Sequence, residues 1–318
     1  MGEKRIGDGG FADAFVAPGA GSNKRLDRIE ALFAWSRFDS LLKPVRSVLG
    51  RKGYPALSMY KALLLQQWYG LSDPGLEEAL SDRLSFRRFC GFSLADATPD
   101  ETTFVRFRAA LCEHGLAQTL LTETNRQLQR HGLILKTGTL IDASLVEASV
   151  ARPAGGSGER SARDPDADWT RRGRNRYFGY KAHLAVDQGS GLIREARLTS
   201  AKTYESEVAD ALIQGDEGAV YADKAYEHKG RRQRLKALGI KDRIMHRANK
   251  HQPTLPPWQQ RRNKLIAPIR ANVERLFGTL KRSYGYRRVR YRGLERNQSH
   301  LQLLCIAINL RRAEVLIS

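Results

Sequence analysis

Apolar positions recur at helical spacing from Leu26 to Leu42, from Ser58 to Tyr69 and from Leu116 to Leu128, with breaks at Pro44, at Gly70 and near Gly132. Between them, Asp73-Pro74 reads as an N-cap followed by a first-turn proline, predicting a helix through Leu80 and Leu84. Thr98-Pro99-Asp100-Glu101 reads as a capping box with proline at the first helical position, opening a helix over Thr102 to Cys112. The residues before Leu26 are rich in Gly, Ala and Asp without period and predict a flexible arm over 1–25. After Lys136 the period changes to alternating, β-branched runs. These predict strands over Thr139–Val146, Tyr177–Val186 and Leu192–Thr199, the last two joined through a glycine-containing turn after Asp187. A helix from near Tyr204 to Ile213, a strand over Gly218–Asp223, a helix over Arg231–Leu238 and a short strand over Ile240–Met245 follow. Ile269, Val273, Leu276, Phe277 and Leu280 then form the apolar stripe of one more helix. Leu301 to Leu316 is apolar at helical spacing and is expected to cover the sheet.

Three strands, helix, strand, helix, strand, helix is the order of an α/β fold in which a three-stranded meander is extended by parallel strands across helices. It matches a ribonuclease-H-like mixed sheet flanked by helices, with the first and fourth strands side by side. The expected organisation is an arm over 1–25, an all-helical domain over 26–132 and an α/β domain over 133–318, the last carrying a mobile basic loop at 151–176.

Charge changes the picture. The chain holds 54 Lys and Arg against 34 Asp and Glu, a formal +20, so nucleic acid is the leading partner class. The apolar stretches are too short and too polar to span a membrane. The N-terminal residues lack the basic start and apolar core of a secretory signal, and a cytoplasmic, nucleoid-associated location is expected. Cys90, Cys112 and Cys305 are far apart and odd in number, which points to free thiols rather than a disulfide or zinc framework. In the helical region Arg83, Arg87, Arg88, Arg106 and Arg108 fit two readings equally: a helix-turn-helix-like DNA reader, or a small bundle with solvated arginines.

Three acids carry the chemistry. Asp142 interrupts an otherwise apolar strand, where an unpartnered carboxylate is costly. Asp223 ends the run Ala-Val-Tyr-Ala, where open sheets present ligands, although a turn cap explains it as well. Glu274 lies between cations: Arg270, Glu274 and Lys281 project within roughly 40° of one another on a helix. Phosphodiester cleavage needs charge stabilisation at phosphorus and an activated nucleophile, and two hard cations held by a few carboxylates supply both.

On Thr139 to Val146, Ala219 to Tyr226 and Arg270 to Tyr286, the chain resembles bacterial insertion-sequence transposases with a DDE triad. The helical region 54–112 is similar to the N-terminal domain of that family. Arg270, Glu274 and Lys281 keep the spacing of the signature Arg-x3-Glu-x6-Lys; Ala267 stands where the family usually has tyrosine, a departure that touches only the tyrosine's auxiliary role. The resemblance implies that Asp142, Asp223 and Glu274 ligate two magnesium or manganese ions and that Arg270 and Lys281 hold phosphates at the element end. It implies an enzyme that binds terminal inverted repeats in double-stranded DNA, hydrolyses the phosphodiester at the ends and joins the 3′-hydroxyl to target DNA. The interval from Asp223 to Glu274 leaves no room for the large β insertion of some relatives. The alternative is a non-catalytic DNA-binding repressor derived from such an enzyme.

Four further features complete the reading. Arg171, Arg172, Arg174 and Arg176 are placed to meet phosphates if the 151–176 loop borders the site, and Trp169 either stacks on an unpaired base or anchors that loop. His183, mid-strand, is either an auxiliary group or a satisfied sheet residue. Asp187 suits a turn better than a ligand set. Joining two element ends calls for two end-binding sites, hence a homodimer on DNA.

Overall fold

The computed structural model describes residues 3–17, 19–45, 52–155, 159–248 and 253–317. Its chain divides into two compact units, Met1–Gln127 with Ile306–Ser318, and Leu128–Cys305. Among the described residues no helix is long and apolar enough to cross a membrane.

The first unit is helical: α1 (Lys24–Leu32), α2 (Trp35–Leu41), α3 (Ala56–Tyr69), α4 (Asp73–Asp82), α5 (Leu84–Cys90), α6 (Glu101–Glu113) and α7 (Leu116–Arg130). The period over Leu26–Leu42 is split between α1 and α2 at Phe33-Ala34. Helix α3 is buried nearly all round, with Tyr60, Leu63, Leu64 and Leu65 inaccessible. Its Lys61 is buried too, and is satisfied by the Glu30 carboxylate at 2.7 Å and the Trp35 ring at 4.5 Å.

Two capping frames differ from the sequence expectation. Ser72, not Asp73, caps α4, its hydroxyl accepting from Gly75 N at 3.1 Å. Asp100 caps α6, accepting from Thr103 N at 2.7 Å, so Pro99 lies before the helix. The segment read as a loose arm is tied down: Lys4 N donates to Gly53 O, Gly7 N to Asp96, and Leu94 N to Asp13.

The second unit contains β1 (Thr139–Glu147), β2 (Asp168–Arg172), β3 (Asn175–Asp187), β4 (Ile193–Ser200), α8 (Glu205–Leu212), β5 (Ala219–Ala222), α9 (Lys229–Ala237), β6 (Lys241–Ile244) and α10 (Pro257–Ser283). A last helix, α11 (Leu294–Ile317), has its first half in this unit and its second half in the helical unit. Strands β4, β3 and β1 form an antiparallel meander, and β5 and β6 add in parallel beyond β1. This is the ribonuclease-H-like order. One core joins Ile141 and Ala185 of the sheet to Ala209 and Leu212 of α8 and Leu235 of α9. Alternation along β1 turns Asp142 to the opposite face, where α10 lies against β1 and β5.

Residues 168–176, expected within a mobile loop, form a hairpin instead. β2 pairs with the start of β3 through a two-residue loop, Gly173-Arg174, with Gly173 at φ +61°, as the first position of a type II′ turn demands. β3 then passes from β2 to β1 at Gly179, where a Cβ would stand 2.3 Å from Val146 O; only glycine fits there. Helix α10 begins well before Arg270 and runs through Pro268, whose missing N–H interrupts the helical ladder once.

Candidate active site

Parallel pairing of β1 and β5 places two of the acids. Thr139 pairs with Val220 and Leu140 with Tyr221, so Asp142, inside β1, and Asp223, just past β5, each follow the last paired residue by two positions and lie side by side where the two strands part. Between Leu140 and Glu147, which bridges to Arg288, the β5 side of β1 has no strand partner among the described residues, and this free edge opens into a cleft of about 460 Å³. Asp142, Asp223 and Glu274 all line it, with Arg270, Arg171 and Arg172.

Each acid is held differently. Asp223 caps the short turn Lys224–Tyr226, one carboxylate oxygen accepting from Ala225 N at 2.7 Å. Glu274 is exposed on α10. One turn earlier, Arg270 reaches across to β1: its Nη1 lies 2.9 Å from Asp142 Oδ2 and its Nη2 2.5 Å from Glu274 Oε1. A guanidinium thus bridges strand and helix acids. Among the described residues, no three acidic, His or Cys side chains are gathered closely enough to hold an ion as they stand.

Burial dominates the electrostatics. It pushes the Asp142 carboxyl up to about 6, against the pull of Arg270, and nearby Asp223 and Glu205 push the same way. Glu205, at the start of α8, also lines the cleft, and burial raises its carboxyl as well. A site with four carboxylates and three arginines suits a ligand that brings both positive and negative charge, such as a phosphodiester with divalent ions.

Residues 134–310 match the family model "Transposase DDE domain", and residues 18–110 match "Transposase domain (DUF772)". The chain belongs to the DDE-domain transposase family. It is therefore a DNA transposase, an enzyme that cuts and joins DNA. The chain is also similar to the piggyBac transposase in a synaptic complex with hairpin DNA, at 11% identity and a TM-score of 0.46 over 93% of this chain and 75% of that one. A second likeness is to the Mos1 strand transfer complex, at 12% identity and a TM-score of 0.19 over 88% of this chain and 84% of that one.

The other residues singled out in the DDE domain differ in their surroundings. Lys281 lines a neighbouring recess of about 570 Å³ with Arg282 and Arg287; burial, Arg172 and Arg287 lower its pKa. Arg174 is exposed at the hairpin tip, and Arg171 donates from Nε to Gly173 O. Trp169 packs on Phe178 with ring centroids 5.3 Å apart and donates to Glu159 O, the anchoring arrangement rather than a ring free to stack. His183 has the surroundings of a sheet residue: it pairs in register with Ala143 and not Asp142, is fully buried, and bonds Thr199 Oγ1 at 2.9 Å. Burial holds its imidazole down at about 3, so it is neutral. Asp187 is a turn residue, accepting from Ser190 N and Lys136 N.

In the helical unit, Arg108 is held by an ion pair. Its guanidinium pairs with Asp73 at 2.6 Å, half-buried between α4 and α6, and is committed to holding those helices together. Arg87 is buried, donating to the Ser93, Leu80, Leu94 and Asp96 carbonyls. Arg106 is exposed and folds back on Thr102. The sequence reading passed over Glu205 and its partner Lys181, 3.6 Å away. Glu205 and Glu207 look alike as first-turn acids, and only the turn of α8 half-buries one of them.

Proposed function

We propose that Asp142, Asp223 and Glu274 hold two divalent ions, magnesium or manganese, and that the chain nicks and joins DNA at the ends of a mobile element. The observation that carries this is the convergence of the three acids, from the interior of β1, the end of the parallel strand β5 and one helix, on a single cleft. The residues fit such ions. Burial, with the neighbouring charges of Asp223 and Glu205, raises the Asp142 carboxyl, and Arg270 already occupies the position of a cation between Asp142 and Glu274. Bound there, the ions supply Lewis acidity at the phosphate and activate water or a 3′-hydroxyl.

The chain's own residues do the rest. With its two acids engaged, Arg270 turns to a phosphate oxygen, for which a planar guanidinium is well shaped. Arg171 and Arg172 on β2, and Lys281, Arg282 and Arg287 in the adjoining recess, hold the strand on either side by phosphate contacts that fix register without reading sequence. Arg174 meets DNA from the hairpin tip. The helical unit, with Arg106, recognises the terminal inverted repeats, and two copies of the chain act together on the two ends.

Strand transfer of a pre-cut element end in magnesium tests this reading. Asp142→Asn, Asp223→Asn and Glu274→Gln are each expected to lower the rate by about a thousandfold or more, as loss of a charge-stabilising group does. Near-normal transfer by any one removes that residue from the site.

A further inference from the structure

We propose that Glu205 is a fourth acidic residue of the catalytic centre, contributing a carboxylate to divalent-ion binding beside Asp142 and Asp223 while Lys181 keeps it in the cleft. This rests on the reading of the triad given above. Because β5 pairs with β1 only as far as Leu140, side chains from both faces of the sheet reach the free edge: Asp142 from the α10 side, Lys181 and Glu205 from the α8 side. Glu205 is electrostatically linked to both strand acids, its charge acting on Asp142 and that of Asp223 acting on it.

A structural role alone accounts poorly for this arrangement. An acid in the first turn of α8 complements the helix dipole just as well from the exposed position that Glu207 already fills. Half-burying a second one costs hydration that a cation offsets. Lys181 meets that need only loosely. Its Nζ donates to Thr203 O at 2.8 Å and stands 3.6 Å from Glu205 Oε1, beyond the 2.7–2.9 Å of a charge-assisted hydrogen bond. The lysine pins the start of α8 through a backbone carbonyl, and the carboxylate keeps its capacity for a stronger partner.

The test is a titration of the full-length, DNA-free chain with Mn2+, following free Mn2+ by electron paramagnetic resonance, with melting temperatures recorded alongside. Asp142→Asn and Glu205→Gln are each expected to weaken binding about tenfold or more, in line with losses at metal sites when a supporting group is removed. Glu207→Gln, the same charge change two residues away, should stay within about twofold of wild type, and Glu205→Asp should fall between wild type and Glu205→Gln. If Asp142→Asn weakens binding but Glu205→Gln does not, or if Glu207→Gln weakens it equally, Glu205 is no part of the centre and the triad stands. If Asp142→Asn also binds as wild type does, the triad reading fails with it.

Discussion

Asp142 is under two opposed demands. A carboxylate on an otherwise apolar strand is disfavoured by burial, and Arg270 relieves that only in part, since the group still rises from 3.8 to about 6. The folded form therefore holds a proton that the unfolded chain has already released between about pH 4 and 6, and stability falls as pH rises through that window. Removing the charge should reverse this. In the absence of divalent ions, Asp142→Asn is expected to be more stable than wild type by roughly 1–3 kcal/mol at about pH 7.5, with the gain fading by about pH 4. Urea unfolding in a chelator at the two pH values checks it; a destabilised variant at neutral pH would mean the Arg270 pair outweighs desolvation. His183 makes the opposite case: neutral, enclosed and on the other face, it predicts that His183→Gln keeps strand transfer within about twofold while lowering the melting temperature. A hundredfold loss of transfer without unfolding would return His183 to the site. Asp142 was legible in the sequence because an acid stood alone among Leu140, Ile141 and Val146. Glu205 was not, because nothing local separates it from Glu207.

The strands of the sheet were read from β-branched alternation, and the structure keeps them within a residue or two. β2 escaped for a physical reason. Asp-Trp-Thr-Arg-Arg has no apolar alternation, and it is a strand only because β3 extends past β1 and offers it a backbone to pair with. The caps of α4 and α6 were displaced because two capping side chains stood close together in each case, and the structure uses the one whose oxygen reaches the amide three residues on. The crossing of β1, β2 and β3 depends on Gly179. Gly179→Ala forces a methyl into the β1 backbone and is expected to cost about 2 kcal/mol or more, read as a lowered urea midpoint. An unchanged midpoint would show that the crossing has slack. The β2–β3 hairpin also carries exposed arginines beside the cleft. Neutralising Arg171 or Arg172 should weaken DNA binding alike for specific and unrelated sequences, and reduce the slope of log K against log salt by about one each.

At the scale of the whole chain, an excess of positive charge accompanies a cleft lined by four carboxylates: on the proposed function, cations gather a polyanion over the surface and the acids are to concentrate divalent charge at one point of it. The topology that does this was visible in element order, since a meander followed by parallel strands brings the ends of β1 and β5 side by side. What order alone did not show is that Arg270 stands between two of the acids. That geometry has a consequence: Arg270→Gln should tighten Mn2+ binding several-fold, by removing a competing cation, while weakening DNA binding, by removing a phosphate contact. Titrations of the same preparation with Mn2+ and with DNA read both effects, and a variant that loses affinity for Mn2+ would show Arg270 to be a support of the site and not a competitor. The most direct measurement is anomalous scattering from a crystal of the chain bound to an element-end DNA in Mn2+. The account predicts manganese peaks in contact with the carboxylates of Asp142, Asp223 and Glu274; peaks confined to other carboxylates, with Asp142 and Glu274 still paired to Arg270, would contradict it.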